Sequence, residues 1–433
     1  MNSTITLDRI KLSEEGRMVS YHYTIPSQLR KYFTNHSLYV KFEEDVSDVP
    51  YSILVIPFLA NFVPISWFAG FAIEVEEADG VFLDSLERIR TEFLKDFDDI
   101  RHHTVLTKRE ANTRLSNDTG DTKAAMLFSG GVDAYATFFR HFEENPELIT
   151  ILGADMKVDD SEQWSNLLRY YDSEQPIQDN RKIFVESNMR DFYNFEVDKL
   201  LPEPGWWGYI QHGLSLTTTI APLSYLHGFQ KLYIASSRCE DFDVRPWGST
   251  PHTDNLIEWS GCKVYHDSFD WSRFAKVRHI ASYSHQYGVK PRLRVCYNEF
   301  KSGLNCGVCE KCCRTIFALI LHGEDPNEYG FSDIDSTIYQ TIKYSINGGY
   351  HTEGTRFFWG EMKDLSLADG AFIFDKGNES VERELIRDTL RYIQENDSKP
   401  LQQSSERDKR KQLFISKHPK ITKFYLKLRH LFS

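Results

Sequence analysis

From Ala124 onward the chain alternates short apolar runs with amphipathic ones. AAMLFS, LITILGAD, KIFVES and KLYIAS are separated by YATFFRHFEE, EQWSNLLRYY and LSLTTTIAPLSYLHG. Apolar runs of four to eight residues suit strands buried on both faces, and the segments between them carry a helical period. Strands separated by helices cannot pair as hairpins. They build a parallel sheet with helices on both faces, and ligands of such sheets bind beyond the carboxyl ends of the strands. The expectation is an α/β domain over residues 122–330, preceded by an accessory α/β region (1–115) and followed by a helical region (331–433).

The accessory region reads as short strands, then an amphipathic helix over VFLDSLERIRTEFLKDFDDI, and the polar run TKREANTRLSNDTGDTK reads as a linker. Tyr51 to Ile73 carries no charge over 23 residues, long enough for a membrane span. Its flanks are acidic and Pro57 and Pro64 interrupt it, so two buried strands, YSILVIPF and WFAGFAIEV, are expected instead. No basic start followed by an apolar run opens the sequence, and a cytoplasmic protein without a membrane span is the simplest expectation.

With 433 residues and 41% hydrophobic content, the chain has ample material for real cores. A net charge of −12 argues against a protein that coats nucleic acid, since such binding works through Lys and Arg releasing counterions from phosphates. The charge is uneven. Residues 399–433 hold ten Lys/Arg against two Asp/Glu, +8, which leaves −20 for the rest. Within that tail Ile421, Phe424, Tyr425, Leu428 and Leu431 recur at helical spacing between Lys420, Lys423, Lys427 and Arg429, the pattern of a basic amphipathic helix that packs on its own domain, a protein partner, or an anionic membrane or RNA surface.

The sharpest motif is Ser129-Gly130-Gly131-Val132-Asp133, after the first of the parallel strands and before its helix. Two glycines let the backbone turn tightly and bring N–H groups to an anion, and the helix points its positive end at the same spot. Ser129 adds a hydroxyl, and Asp133 can hold a magnesium ion (Mg2+) that bridges phosphate oxygens. No Gly-Lys-Ser/Thr follows, so this is not a Walker loop.

Seven cysteines are too few for a disulfide scaffold, and four cluster as Cys296-x9-Cys306-x2-Cys309-x2-Cys312. Four thiolates close a tetrahedral zinc (Zn2+) site with no open position, which makes the metal structural. Cys313 is a substitute ligand, while Cys239 and Cys262 read as small buried residues.

SGGVD at a strand-to-helix junction resembles the PP-loop of the N-type ATP pyrophosphatases, and CYNEFKSGLNCGVCEKC is similar to the zinc loop of the 7-cyano-7-deazaguanine synthases. The resemblance covers residues 122–325 and implies a PP-loop (HUP-type, adenine nucleotide alpha hydrolase-like) sheet with a four-cysteine zinc loop. It also implies an ATP-dependent C–N ligase that adenylates a carboxylate on a deazaguanine-type base and releases AMP and pyrophosphate. Ammonia is the acceptor in ordinary members. A longer chain is similar to the subfamily found in anti-phage defence clusters, in which the activated base is thought to be attached to a partner protein.

Two departures stand out: Ala134 occupies a position where the family usually has Ser, and Gln211-His212-Gly213 stands where it has Gly-Arg-Asn. Basic residues must face the leaving pyrophosphate; by resemblance Arg273 and Lys276 are candidates, with Arg314 a further one. The purine-like base is expected near the end of KLYIAS, with Asp254 or Glu240 as its acceptor and His212 near a phosphate or carboxylate. Two rivals are a tRNA- or nucleobase-modifying PP-loop enzyme and a nucleotide-binding sensor without chemistry; oligomeric state, a homodimer included, is open.

Overall fold

The computed structural model describes residues 3–98, 100–101, 105–111, 123–296, 303–349 and 352–397. In chain order the accessory region supplies β1 (Thr4–Ser13), β2 (Met18–Thr24), β3 (Tyr39–Lys41), α1 (Tyr51–Leu54), α2 (Ile56–Ala69), β4 (Ala72–Asp79), α3 (Gly80–Phe93) and β5 (Val105–Ala111). The alternating region supplies β6 (Lys123–Leu127), α4 (Val132–Arg140), β7 (Glu147–Leu152), α5 (Ser161–Asp172), β8 (Lys182–Ser187), α6 (His212–Thr218), α7 (Ala221–His227) and β9 (Phe229–Ala235). It continues through α8 (Pro251–Asp254), β10 (Glu258–Trp259), β11 (Cys262–Asp267), α9 (Arg273–Tyr287) and α10 (Glu310–Leu321). Three further helices follow, α11 (Ile338–Gly349), α12 (Glu353–Gly360) and α13 (Glu379–Asp397).

All eleven strands form one mostly parallel sheet in the order β10-β11-β9-β6-β7-β8-β3-β2-β1-β4-β5. Among them β6, β7 and β8 step outward one way and β9 and β11 the other, all mutually parallel. The winding therefore reverses between β6 and β9, and a crevice opens where the two following connections part, at the carboxyl end of β6. The glycine pair sits there.

The accessory strands are hydrogen-bonded into the same sheet. β3 runs antiparallel to β8, Val40 opposite Ser187 and Lys41 opposite Glu186. Asn188 accepts the Tyr39 N–H at 2.8 Å and donates to the Ser37 carbonyl at 2.9 Å. A sheet this wide curls. Its far ends approach each other: Ser85 of α3 donates to the Glu258 carbonyl of β10 at 2.9 Å, and Asp79 at the end of β4 accepts the Ser260 N–H at 3.3 Å.

The side chains alternate across the strands as the pleat requires. Ala125, Ile149, Ile183 and Val185 join a core with α1, α2, α6 and α7, while Ala124, Met126 and Leu148 join a second core with α4, α5, α9, α10 and the C-terminal helices.

The expected strand pair over Tyr51–Ile73 is corrected. YSILVIPFLANFVPISWFA holds the two helices α1 and α2, and of the expected second strand only Ala72–Val75 enter β4. Pro57 sits in the first turn of α2, where no N–H is needed, and Pro64 is accommodated inside a helix buried on every side. Asn61 ties this helix to its neighbour: its Nδ2 donates to the Pro57 carbonyl at 2.8 Å, and its Oδ1 accepts from Ser215 of α6 at 2.9 Å. The linker reading also starts too early, since Thr107–Ala111 belong to β5 beside β4; 112–122 lie outside the described residues, as does the basic tail. No helix among the described residues is long and apolar enough to cross a membrane.

Candidate functional site

Gly130 has φ +75°, a left-handed conformation, and a Cβ there would stand 2.8 Å from the ring and hydroxyl of Tyr170. Gly131 caps α4. The carbonyls on either side of Gly130 are committed: Ser129 O accepts from the Arg294 guanidinium at 2.9 Å and Gly130 O from the Arg294 N–H at 2.7 Å. In a trans peptide the N–H points opposite to the C=O. Turning both carbonyls toward Arg294 therefore aims the Gly130 and Gly131 N–H groups away from it, and the Gly131 N–H meets Ser129 Oγ at 3.4 Å.

Asp133, in the first turn of α4, meets two cations from α9. Its Oδ2 accepts from Arg273 at 2.8 Å and its Oδ1 from Lys276 at 3.2 Å. Burial pushes the carboxyl up, but Arg273, Lys276 and Lys311 outweigh it and hold the group below the usual carboxylate range. Lys276 is 1% exposed and also donates to the Ser236 carbonyl at 2.5 Å, at the end of β9. Its own pKa is lowered, by burial first and then by Arg273, against the pull of Asp133.

Arg314 is buried, paired with Glu310 at 3.1 Å, and its guanidinium lies 4.4 Å from the centre of the Phe358 ring. Lys311 carries a lowered pKa from burial and from the nearby positive charge of Arg273 and Arg314. The Arg273, Lys276 and Lys311 cations thus gather around one aspartate, with Arg314 beside Lys311 on Glu310, and Lys311 is the member the sequence did not single out. The only signal for it was its place between two metal-type cysteines, on the first turn of α10.

Cys296, Cys306, Cys309 and Cys312 are all buried, and their sulfurs lie within 4.8 Å of one another. Cys296 and Cys309 Sγ are 4.0 Å apart and Cys306 and Cys312 Sγ 3.9 Å. Four sulfurs at about 2.3 Å from a tetrahedral zinc would be about 3.8 Å apart, so the quartet fits such an ion and is too wide for disulfides. Backbone N–H groups already point at the sulfurs, Cys306 N to Cys296 Sγ at 3.4 Å and Cys309 N to Cys306 Sγ at 3.3 Å. These four cysteines could hold a metal ion such as zinc.

Both arms of this quartet reach the glycine loop. Two residues before Cys296 stands Arg294, which holds the two loop carbonyls, and Cys309 caps α10, which carries Lys311 and Arg314. Cys239, Cys262 and Cys313 are buried outside the quartet.

The candidate base-binding residues separate. Glu240 lies exposed, its N–H bonded to the Phe269 carbonyl at 3.0 Å. Asp254 is fully buried in α8, and its Oδ2 accepts from Ser249 at 2.7 Å and meets His266 Nδ1 at 2.8 Å. Oδ1 has no hydrogen-bond partner and sits where a Cβ on Gly213 would come to 2.0 Å.

His212 begins α6 directly after a π-helical turn over Trp207–Gln211, a rare geometry often found beside sites. Its ring packs 5.3 Å from Trp207 and 5.9 Å from Trp247, and its Nδ1 is buried without a partner. Burial lowers its pKa although Asp155 and Asp254 pull the other way, so the ring is neutral. His212 and Asp254 therefore come together while Glu240 stands apart. Arg238 connects this cluster to the cations: its carbonyl lies 3.4 Å from Lys276 Nζ and its guanidinium 4.6 Å from the Trp247 ring.

No family model matches this chain, and neither does any curated protein or solved structure.

Proposed function

We propose that the chain binds ATP with its phosphates over the Gly130–Gly131 turn and splits it to AMP and pyrophosphate while activating a carboxylate on a deazaguanine-type base. The observation that carries this reading is the gathering of Arg273, Lys276 and Lys311 around Asp133, with Arg314 beside Lys311, at the winding reversal of the sheet. Cations fixed before the reaction, in a partly desolvated site, stabilise the charge that grows on a departing pyrophosphate. The buried lysine and the stacked arginines are held in place by protein atoms and need no reorganisation.

Asp133 is the residue that would hold magnesium, which when bound neutralises phosphate oxygens. Both of its oxygens face the Arg273 and Lys276 cations, so the carboxylate that would hold the ion stands beside the groups that would meet the phosphates. Neutral His212, with Trp207 and Trp247 beside it, offers a planar, uncharged surface for the base, one loop away from the cations. The acceptor, ammonia or a partner protein, is left to experiment. The likeness of the zinc-type loop to that of the 7-cyano-7-deazaguanine synthases supports this substrate class.

The test is to supply the protein with ATP, magnesium and 7-carboxy-7-deazaguanine and to measure AMP and pyrophosphate. Expected is release that depends on the base and falls about 100-fold or more in D133N. ATP binding without any AMP would favour the sensor reading, to which the hydroxyl missing at Ala134 lends weight. Absence of both binding and turnover would overturn the proposal.

A further inference from the structure

The cation cluster is completed from a part of the chain that the resemblance does not reach. α12 lies beyond residue 325, yet the ring of Phe358 sits against two of the four cations, 5.5 Å from the Arg273 guanidinium and 4.4 Å from that of Arg314. These arginines come from different helices, α9 and α10, and each has its own carboxylate, Asp133 for Arg273 and Glu310 for Arg314. The one π face attracts both guanidinium groups. It also restricts side chains that are otherwise rich in rotamers.

α12 is fastened to both helices that supply the arginines. Trp359 is fully buried, 6.5 Å from Phe317 of α10. Glu361, one residue past α12, is partly buried near Ser272 and Phe274 at the start of α9, close to Arg273 and Arg314. At the other end Thr352 and Thr355 cap the helix reciprocally. Phe357, the neighbour of Phe358, stacks on Phe242 at 4.8 Å and 19°, in the loop after β9 that also carries Arg238 and Trp247.

We propose that α12 is a clamp on the anion site and that Phe358 is its positioning residue, holding Arg273 and Arg314 where they receive the pyrophosphate end of a nucleotide, while Phe357 ties this end to the loop beside His212. The inference rests on the nucleotide reading above and adds to it that the C-terminal region is part of the site.

The test uses the full-length protein and inorganic pyrophosphate as the probe, by calorimetry, followed by KM and kcat for ATP. F358L keeps most of the apolar contact without a π face, and F358W restores a stronger one. Expected is a loss of pyrophosphate affinity of about 5- to 30-fold in F358L, recovered in F358W, with the ATP KM rising by a similar factor. Thermal midpoint and zinc content serve as folding controls, and neither should separate F358L from F358W.

Equal pyrophosphate affinity in wild type and F358L would overturn the clamp and leave the nucleotide reading intact. Loss of affinity in F358L and F358W alike would also overturn it, since packing and not the π face would then be at work. A wild-type protein that binds neither pyrophosphate nor ATP would overturn both readings together.

Discussion

Gly130→Ala should cost the fold several times more than Gly131→Ala, although the two glycines are adjacent. At Gly130 the backbone is left-handed, which costs an L-residue about 1–2 kcal/mol. The added methyl would also stand 2.8 Å from Tyr170, closer than real Cβ atoms come, so the ring must move. That movement weakens the bond from the buried Tyr170 hydroxyl to the Arg292 carbonyl, now 2.8 Å, at about 1–2 kcal/mol. Together the loss is about 2–4 kcal/mol. Gly131 has φ −82°, and its added Cβ would meet nothing nearer than 3.4 Å, so its loss should stay under about 1 kcal/mol. Urea unfolding of the wild type and both variants, at one fixed zinc concentration, measures the difference. G130A unfolding at the wild-type midpoint, or G131A falling as far as G130A, would show that the turn is not held as described.

Three further outcomes are expected. Purified protein should carry one zinc per chain by elemental analysis, and C312A should lose it; a C312A protein that keeps full occupancy would dismiss the four-sulfur site. Lys276→Met removes the ammonium that serves the Asp133 carboxylate and the Ser236 carbonyl at 1% exposure, so stability should drop by about 3–5 kcal/mol; a drop below about 1 kcal/mol would mean the lysine is not needed where it sits. His322 is pushed down to about 4 by burial while its Nε2 lies 3.1 Å from the Phe274 carbonyl. The unfolded chain takes up this proton near pH 6.5 and the folded one only near 4, so stability should fall as pH drops through that window, by at most about 3 kcal/mol. H322Q should flatten that slope, and an unchanged slope would dismiss the assignment.

The alternating region was legible because its strands are short and buried on both faces. Apolar runs such as LITIL and KIFVE, bounded by polar turns, leave little else to be. α2 was not legible for a related reason: a helix buried all round has no polar face, so the period that separates helix from strand is absent. Prolines then tilted the reading toward strands, although Pro57 falls in a first turn and Pro64 is accommodated inside α2.

At the candidate site, Arg273 and Lys276 could be named only by resemblance, and the structure brings both to Asp133. Arg294, Lys311, Trp247 and Phe358 could not. Each reaches the site through packing between elements distant in sequence, and a lone cation or aromatic residue carries no local pattern.

The join between β3 and β8 decides what becomes of the molecule if it is cut. A chain shortened to begin at residue 122 would bare the flank of β8 as a row of unsatisfied amides and carbonyls, the template on which strands of other molecules stack. It would also unroof the apolar faces of α6 and α7 that now shelter under α2 and α1 respectively. Such a fragment should clump where the intact chain stays dispersed, so the first hundred residues work as a lining sewn into the garment and not as an attachment worn over it.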